Sequence, residues 1–226
     1  MNYGNIFEGI FIERPNRFIA KVLIGGEEKV CHVKNTGRCR ELLTDGARVI
    51  VEKIDSSARK TEYDLIAVYK NGQLINIDSG APNKVFGEWV EKSGYFGELS
   101  LIKPEHTYKN SRFDFYLEGE NKKIFVEVKG VTLEKDGVVR FPDAPTERGT
   151  KHLRELMTAV RDGYEAYVFF IIQMRDCLYF TPNVDTDKRF SDTLTKASAA
   201  GVNIRALCCD VTPNSLSVKD FVEVKI

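Results

Sequence analysis

The stretch from Ser111 to Leu133 constrains the fold most. Two apolar runs, Ser111 to Leu117 and Ile124 to Thr132, flank the polar, glycine-bearing connection Glu118-Gly119-Glu120-Asn121-Lys122-Lys123. Such runs around a short connection read as the arms of an antiparallel hairpin. Side chains alternate faces along a strand, so Glu127 and Lys129 share one face and Val126 and Val128 the other. A symmetric loop sets Asp114 directly opposite Glu127. Facing carboxylates repel unless a positive charge sits between them. A hard divalent cation such as Mg²⁺ fills that place, taking one or two protein carboxylates and keeping water elsewhere. Lys129 then orients or deprotonates one of those waters, the outline of phosphodiester chemistry. The competing reading is a solvated strand face with a cross-strand ion pair, since a bare Asp, Glu-x-Lys pattern also arises by chance.

Around this hairpin the chain divides in two. Before it, Ile6 to Glu13, Arg17 to Ile24, Glu28 to Val33, Ala47 to Lys53, Asp64 to Tyr69 and Leu74 to Ile77 read as short strands, with turns at Arg14-Pro15-Asn16, Gly25-Gly26, Asp45-Gly46 and Asn71-Gly72. Closely spaced strands without long helices predict a small OB-like β-barrel over residues 1–80, a fold that commonly binds nucleic acid. Asp78-Ser79-Gly80-Ala81-Pro82-Asn83 is the expected boundary. The remainder, 81–226, reads as a helix from Lys84 to Leu99 interrupted at Gly94, three strands, an amphipathic helix on Leu153, Leu156, Met157 and Val160, and a buried strand from Tyr167 to Met174. A strand near Leu178, a helix from Lys188 to Ala200 and strands at Ile204 to Cys208 and Phe221 to Lys225 complete an α/β (α+β) chain of mixed sheet.

The 226 residues are 42% hydrophobic, enough for real cores, and 33 basic residues balance 33 acidic ones. Affinity for a polyanion must therefore come from local clustering. No basic leader and no apolar run long enough to span a bilayer is present, so a cytoplasmic protein without a membrane partner is expected. Five cysteines without a C-x-x-C pair indicate neither a disulfide framework nor structural zinc; only Cys39 lies in a polar, basic segment where a reactive thiol is conceivable.

Two basic clusters stand out. Lys29, Lys34, Arg38 and Arg40 occur without an acidic residue among them, around Asn35-Thr36-Gly37, whose backbone N–H groups and hydroxyl suit a phosphate; a solvated loop is the alternative. Arg148, Lys151, His152 and Arg154 open the amphipathic helix, where helix N-terminal charge also attracts anions. The alternative there is a surface helix neutralised by Glu147 and Glu155, with His152 at the edge of the apolar stripe. Trp89, Tyr95 and Phe96 could stack bases or fill a core.

Ser111-Arg112-Phe113-Asp114, Phe125 to Leu133, the run Phe141-Pro142-Asp143-Ala144-Pro145-Thr146-Glu147-Arg148-Gly149-Thr150-Lys151-His152-Leu153-Arg154-Glu155-Leu156, and, nearer the amino terminus, Arg17-Phe18 and Asn35-Thr36-Gly37 together resemble the sugar fermentation stimulation protein A family. The resemblance spans essentially the whole chain and departs from the family at Pro145 and Gly130, where Val and Asn are usual. It implies a DNA-binding protein with an OB-like barrel ahead of a restriction-endonuclease-like, PD-(D/E)XK domain. It further implies catalytic Asp114, Glu127 and Lys129, with Mg²⁺ or Mn²⁺ on Asp114 and Glu127. Glu88 stands where that superfamily often adds an acidic ligand, in competition with Glu91 and Glu98. Lys34, Arg38, Arg40, Arg148, Lys151 and His152 are the expected DNA contacts, with little sequence preference. A metal-dependent nuclease and a non-catalytic DNA-binding regulator of sugar (maltose) metabolism on the same scaffold both fit. No oligomeric state follows, a homodimer being one option.

Overall fold

The computed structural model describes residues 1–35, 37–55 and 59–226 and arranges them around two sheets. β1 (Ile6–Asn16), β2 (Ile19–Ile24), β3 (Glu27–Val33), β4 (Arg48–Lys53), β5 (Tyr63–Lys70) and β6 (Gln73–Asn76) pair in the order β3-β2-β1-β4-β5-β6. A parallel pairing of β3 with β5, Cys31 beside Tyr63 through Val33 beside Leu65, closes the first five into a barrel. Closure removes the unpaired edges that a small open sheet leaves exposed. The barrel's filling follows the two-residue period: Ala20, Val22 and Ile24 of β2 are buried while Leu23 between them is exposed.

One turn moves. Arg14-Pro15-Asn16, expected to be a turn, continues β1. The β1–β2 register shifts between Phe11 and Glu13 and again between Glu13 and Asn16, and at such irregularities the missing N–H of Pro15 costs no ladder bond. The chain reverses at Arg17-Phe18, where Asn16 Oδ1 accepts the N–H groups of Phe18 and Ile19.

The second sheet is mixed. α1 (Ala81–Ser93) starts with Pro82 in its first turn and ends at Gly94 in the left-handed region (φ 64°), so the helix expected to reach Leu99 stops there. After it come β7 (Leu99–Tyr108), β8 (Ser111–Gly119), β9 (Lys122–Val131), β10 (Leu133–Lys135), β11 (Val138–Phe141), α2 (Glu147–Arg161), β12 (Glu165–Ile172), β13 (Tyr179–Pro182), α3 (Lys188–Ala199), β14 (Asn203–Thr212) and β15 (Ser215–Val224). The sheet order is β10-β11-β13-β15-β14-β12-β9-β8-β7. β7, β8 and β9 run antiparallel, while β12 lies parallel to both β9 and β14. α1 covers one face through Val85 and Phe86 over Val126, Val128 and Phe169. Trp89, Tyr95 and Phe96 join that packing around Phe169, which takes them out of any base-stacking role. α2 and α3 cover the other face over Phe113, Phe125, Phe170 and Phe180. The hairpin β10–β11 was not foreseen; its turn residues Asp136 (φ 55°) and Gly137 (φ 78°) both take the positive φ that a two-residue hairpin loop demands.

Barrel and mixed sheet are joined by a buried polar cluster. Asp78 is 1% exposed, and its carboxylate receives Lys34 Nζ at 2.7 Å, the Tyr3 hydroxyl at 3.3 Å and the Gly80 N–H at 2.9 Å. Gln173, just beyond β12, donates to Asn76 Oδ1 (2.8 Å) and to the Asp78 carbonyl (3.0 Å), and Asn76 in turn donates to Tyr3 (2.8 Å). Removing one member strands the others without water to replace it. Asp78→Ala is therefore expected to destabilise the protein by about 3 kcal/mol in a urea titration, because Tyr3 and the Gly80 N–H lose a buried acceptor while Lys34 is partly exposed. A loss below about 1 kcal/mol would show that Lys34 and Tyr3 find other partners.

Candidate metal and nucleic-acid site

β8 and β9 pair with Leu117 opposite Ile124 and Phe115 opposite Val126, so the next register position sets Asp114 against Glu127. The ladder ends at that point. Phe113 packs in the core under α2 and Phe115 in the core under α1, so the alternation of faces is broken at Asp114. Its carboxylate takes over the pairing instead: Oδ2 accepts the Val128 N–H at 2.8 Å, and Oδ1 accepts Asn83 Nδ2 of α1 at 2.9 Å.

Glu127 is 2% exposed. Its Oε1 accepts both Lys129 Nζ and His152 Nδ1, whereas its Oε2 has no hydrogen-bond partner among the described residues. A buried carboxylate oxygen left bare costs desolvation energy with no return, and such an orphan calls for an unseen ion or water. Burial, followed by the charge of Glu127, holds the Asp114 carboxyl above its ordinary range despite the bonds from Val128 and Asn83. Burial also pushes Glu127 upward, but Lys129 and His152 together outweigh it and leave the carboxyl below its ordinary range. At neutral pH the pair thus holds one firmly ionised carboxylate beside one that retains protons more readily.

Such a donor set fits Mg²⁺ or Mn²⁺. No group of three His, Cys, Asp or Glu side chains that could hold a metal occurs among the described residues. Two carboxylates with water in the remaining positions suit a hard ion. Glu88 does not take part. It pairs with the Met1 ammonium at 2.7 Å, and α1 instead turns Asn83 to Asp114. The five-residue separation puts Glu88 on a different side of the helix. Asn83 carried no sequence signal, being an amide in a boundary segment.

At Gly130, beside Lys129, a Cβ would lie 2.6 Å from Gln173 Oε1 and 2.8 Å from Pro82 Cγ. The space an asparagine would need is thus filled by the start of α1 and by the junction glutamine.

The basic residues divide. Lys34 is drawn into Asp78 and Lys29 pairs with Glu27 at 2.6 Å, so neither offers a free charge. Arg38 and Arg40 are exposed. Their loop is held from beneath by Arg14, which donates to the carbonyls of Asn35, Gly37, Arg38 and Arg17 at 2.7 to 3.0 Å. It is tied to the mixed sheet where Asp143 Oδ2 accepts the Arg38 N–H. The Thr36 hydroxyl, expected to meet phosphate, lies outside the described residues. Cys39 is buried in this loop and its thiol is pushed up to about 12 by burial, so it is a packed side chain. Arg148 and Lys151 lie exposed on α2, while His152 turns inward to Glu127 as a buried positioning group. Arg14, Asn83 and His152's partner were beyond sequence reading, because each acts across long chain separations.

Comparison with known proteins agrees with this layout. Residues 12–77 match the family model of the SfsA N-terminal OB domain, and residues 80–215 that of the sugar fermentation stimulation protein RE domain. Curated relatives include the sugar fermentation stimulation protein homologs of Desulfitobacterium hafniense (strain DSM 10664 / DCB-2), 63% identical over 100% of this chain and 99% of the relative, and of Clostridium beijerinckii, 57% identical over 99% of each. The solved structure of Pyrococcus furiosus SfsA in complex with Ca²⁺ superposes with a TM-score of 0.91 at 30% identity, over 100% of this chain and 98% of that one. The chain belongs to the sugar fermentation stimulation protein family, built as an OB barrel followed by a mixed-sheet domain.

Proposed function

We propose that this protein binds DNA and carries a divalent-metal-dependent phosphodiesterase site at Asp114, Glu127 and Lys129. The observation that carries the proposal is Glu127: a buried carboxylate, charged by two cationic or proton-donating neighbours on one oxygen and bare on the other, next to a second carboxylate. The Ca²⁺ held by the Pyrococcus furiosus relative supports a hard-cation site in this fold. Asp114 and Glu127 would hold the ion, which supplies Lewis acidity toward a phosphate ester. The chain's own part is positional. Asn83 and the Val128 N–H fix Asp114, His152 fixes Glu127, and Lys129 presents an ammonium beside the carboxylates where an attacking water must be oriented. Hydrolysis adds the elements of water across one P–O bond, giving a phosphomonoester and an alcohol. Arg38, Arg40, Arg148 and Lys151 supply backbone contacts that carry no base readout.

Calorimetric Mn²⁺ titration tests the metal site. Asp114→Asn and Glu127→Gln are expected to abolish binding, and His152→Ala to weaken it roughly tenfold, the usual cost of losing a residue that orients a ligand. Protons compete with the ion for Asp114, so affinity should begin to fall at a pH above the ordinary carboxylate range. In EDTA, a carboxyl raised by folding gives stability that is lost as pH rises through its folded value, so Asp114→Asn should melt at or above wild type at pH 8. Equal Mn²⁺ uptake by wild type and Asp114→Asn would place the metal elsewhere.

DNA binding is expected to weaken steeply with salt, and equally on unrelated sequences, because phosphate contacts act by counterion release. Lys129→Ala should retain that binding and lose Mg²⁺- or Mn²⁺-dependent cleavage by about 100-fold or more, since a group acting chiefly in the transition state lowers turnover more than affinity. Failure of wild type to cut single-stranded, double-stranded and branched DNA would leave a binding protein on a nuclease scaffold.

A further inference from the structure

Beside the carboxylate pair, and separated from it by one imidazole, lies a second site of different character. A cavity of about 700 Å³ opens between the β7–β8 turn, the start of α2 and the start of α3. Arg148, Arg154 and Arg189 line it, and none has a carboxylate partner among the described residues. Arg112 adds a further guanidinium, loosely paired at 3.4 Å with exposed Glu105, and Lys151 is shared between the Asn110 carbonyl (2.8 Å) and Glu155 (3.8 Å). Glu147 is the acid among the lining residues. The excess of positive charge is therefore local and large in a chain whose total is neutral.

The second observation is Ser111. It lines the same cavity at 6% exposure, and its hydroxyl has no hydrogen-bond partner among the described residues. It lies two residues before Phe113, whose ring meets that of His152 at 6.1 Å, so this part of β8 faces α2. A buried hydroxyl left unpaired at the base of a cation-lined cavity has unused donor capacity where an anion's oxygen would enter.

We propose that this cavity takes the terminal phosphomonoester of a nucleic-acid strand, which makes strand ends, rather than continuous duplex, the preferred ligand of the neighbouring site. The proposal deepens the phosphodiesterase reading and rests on it for its consequence. An internal phosphodiester carries one negative charge and two free oxygens; a terminal phosphate carries about 1.5 to 2 charges at neutral pH and three acceptor oxygens. Three unpaired guanidiniums and a buried hydroxyl match the second more closely, and guanidinium forks bind such oxygens in pairs. His152 lines the cavity on one side and holds Glu127 through Nδ1 on the other. An end seated there brings its first internal phosphodiesters toward the carboxylates.

Fluorescence anisotropy decides this without metal or turnover. A short single-stranded oligonucleotide bearing a 5′-phosphate, a 3′-phosphate or hydroxyls at both ends is titrated in EDTA, so neither cleavage nor the metal site enters. One phosphorylated form is expected to bind about tenfold tighter than the hydroxyl form, equivalent to about 1.4 kcal/mol, and which one shows the polarity. Arg189→Ala, a change at an exposed side chain that should fold normally, and Ser111→Ala are each expected to cut that advantage to about twofold while Mn²⁺ affinity stays unchanged. Equal binding of all three oligonucleotides by wild type, or an advantage that survives both substitutions, overturns the proposal and leaves the metal site standing. Absence of binding to any of the three overturns the proposal together with the DNA-binding reading.

Discussion

Gln173 and Asp78 make the contact on which the rest of the architecture depends. The two apolar cores each run from the barrel into the mixed sheet, and because hydrophobic contact is non-directional, a directional join is what selects one arrangement of the two. Here the join is a buried chain of hydrogen bonds from Lys34 and Tyr3 through Asp78 and Asn76 to Gln173. Its members come from opposite ends of the sequence, so it forms only when both parts are folded. Polar networks of this sort cost desolvation and repay it in uniqueness of arrangement when every member is satisfied. Because Gln173 also occupies the space beside Gly130, the same network reaches the residue next to Lys129. One polar cluster thus touches both the barrel and the strand that carries Lys129.

The two carboxylates of the site are chemically unlike because of their neighbours. Asp114 is bonded to neutral amides, so burial and the nearby glutamate dominate and its proton is retained more readily. Glu127 faces an ammonium and an imidazole, so its charge is kept despite deeper burial. The two carboxylates therefore differ in proton affinity, and a cation bound between them would favour the charged form of both.

Much of this was legible because strands convert sequence spacing directly into geometry. A six-residue connection between two apolar runs fixed the Asp114–Glu127 register, and the two-residue period placed Lys129 with Glu127. Turn residues marked most barrel strands. The misreadings share a cause: Pro15 was taken as a turn because bulges are invisible to pattern, and Lys34 was taken as a DNA contact and Glu88 as a metal ligand because their partners, Asp78 and the Met1 ammonium, lie 44 and 87 residues away. Family resemblance supplied the fold of the second half, where helix and strand signals alone left the sheet order open. It could not supply Asn83, Arg14 or Ser111, whose meaning lies in which atoms they reach.

Arg14 has a consequence for the field around the loop that carries Arg38 and Arg40. Every peptide unit is a dipole whose oxygen end repels phosphate, and a bare surface loop ordinarily displays such oxygens to solvent. One guanidinium gathers the carbonyls of Asn35, Gly37, Arg38 and Arg17 onto itself. The negative ends of those four peptide dipoles are thereby met by a cation while the side chains of Arg38 and Arg40 remain exposed. Arg14 thus shapes the loop's field through the carbonyls it engages.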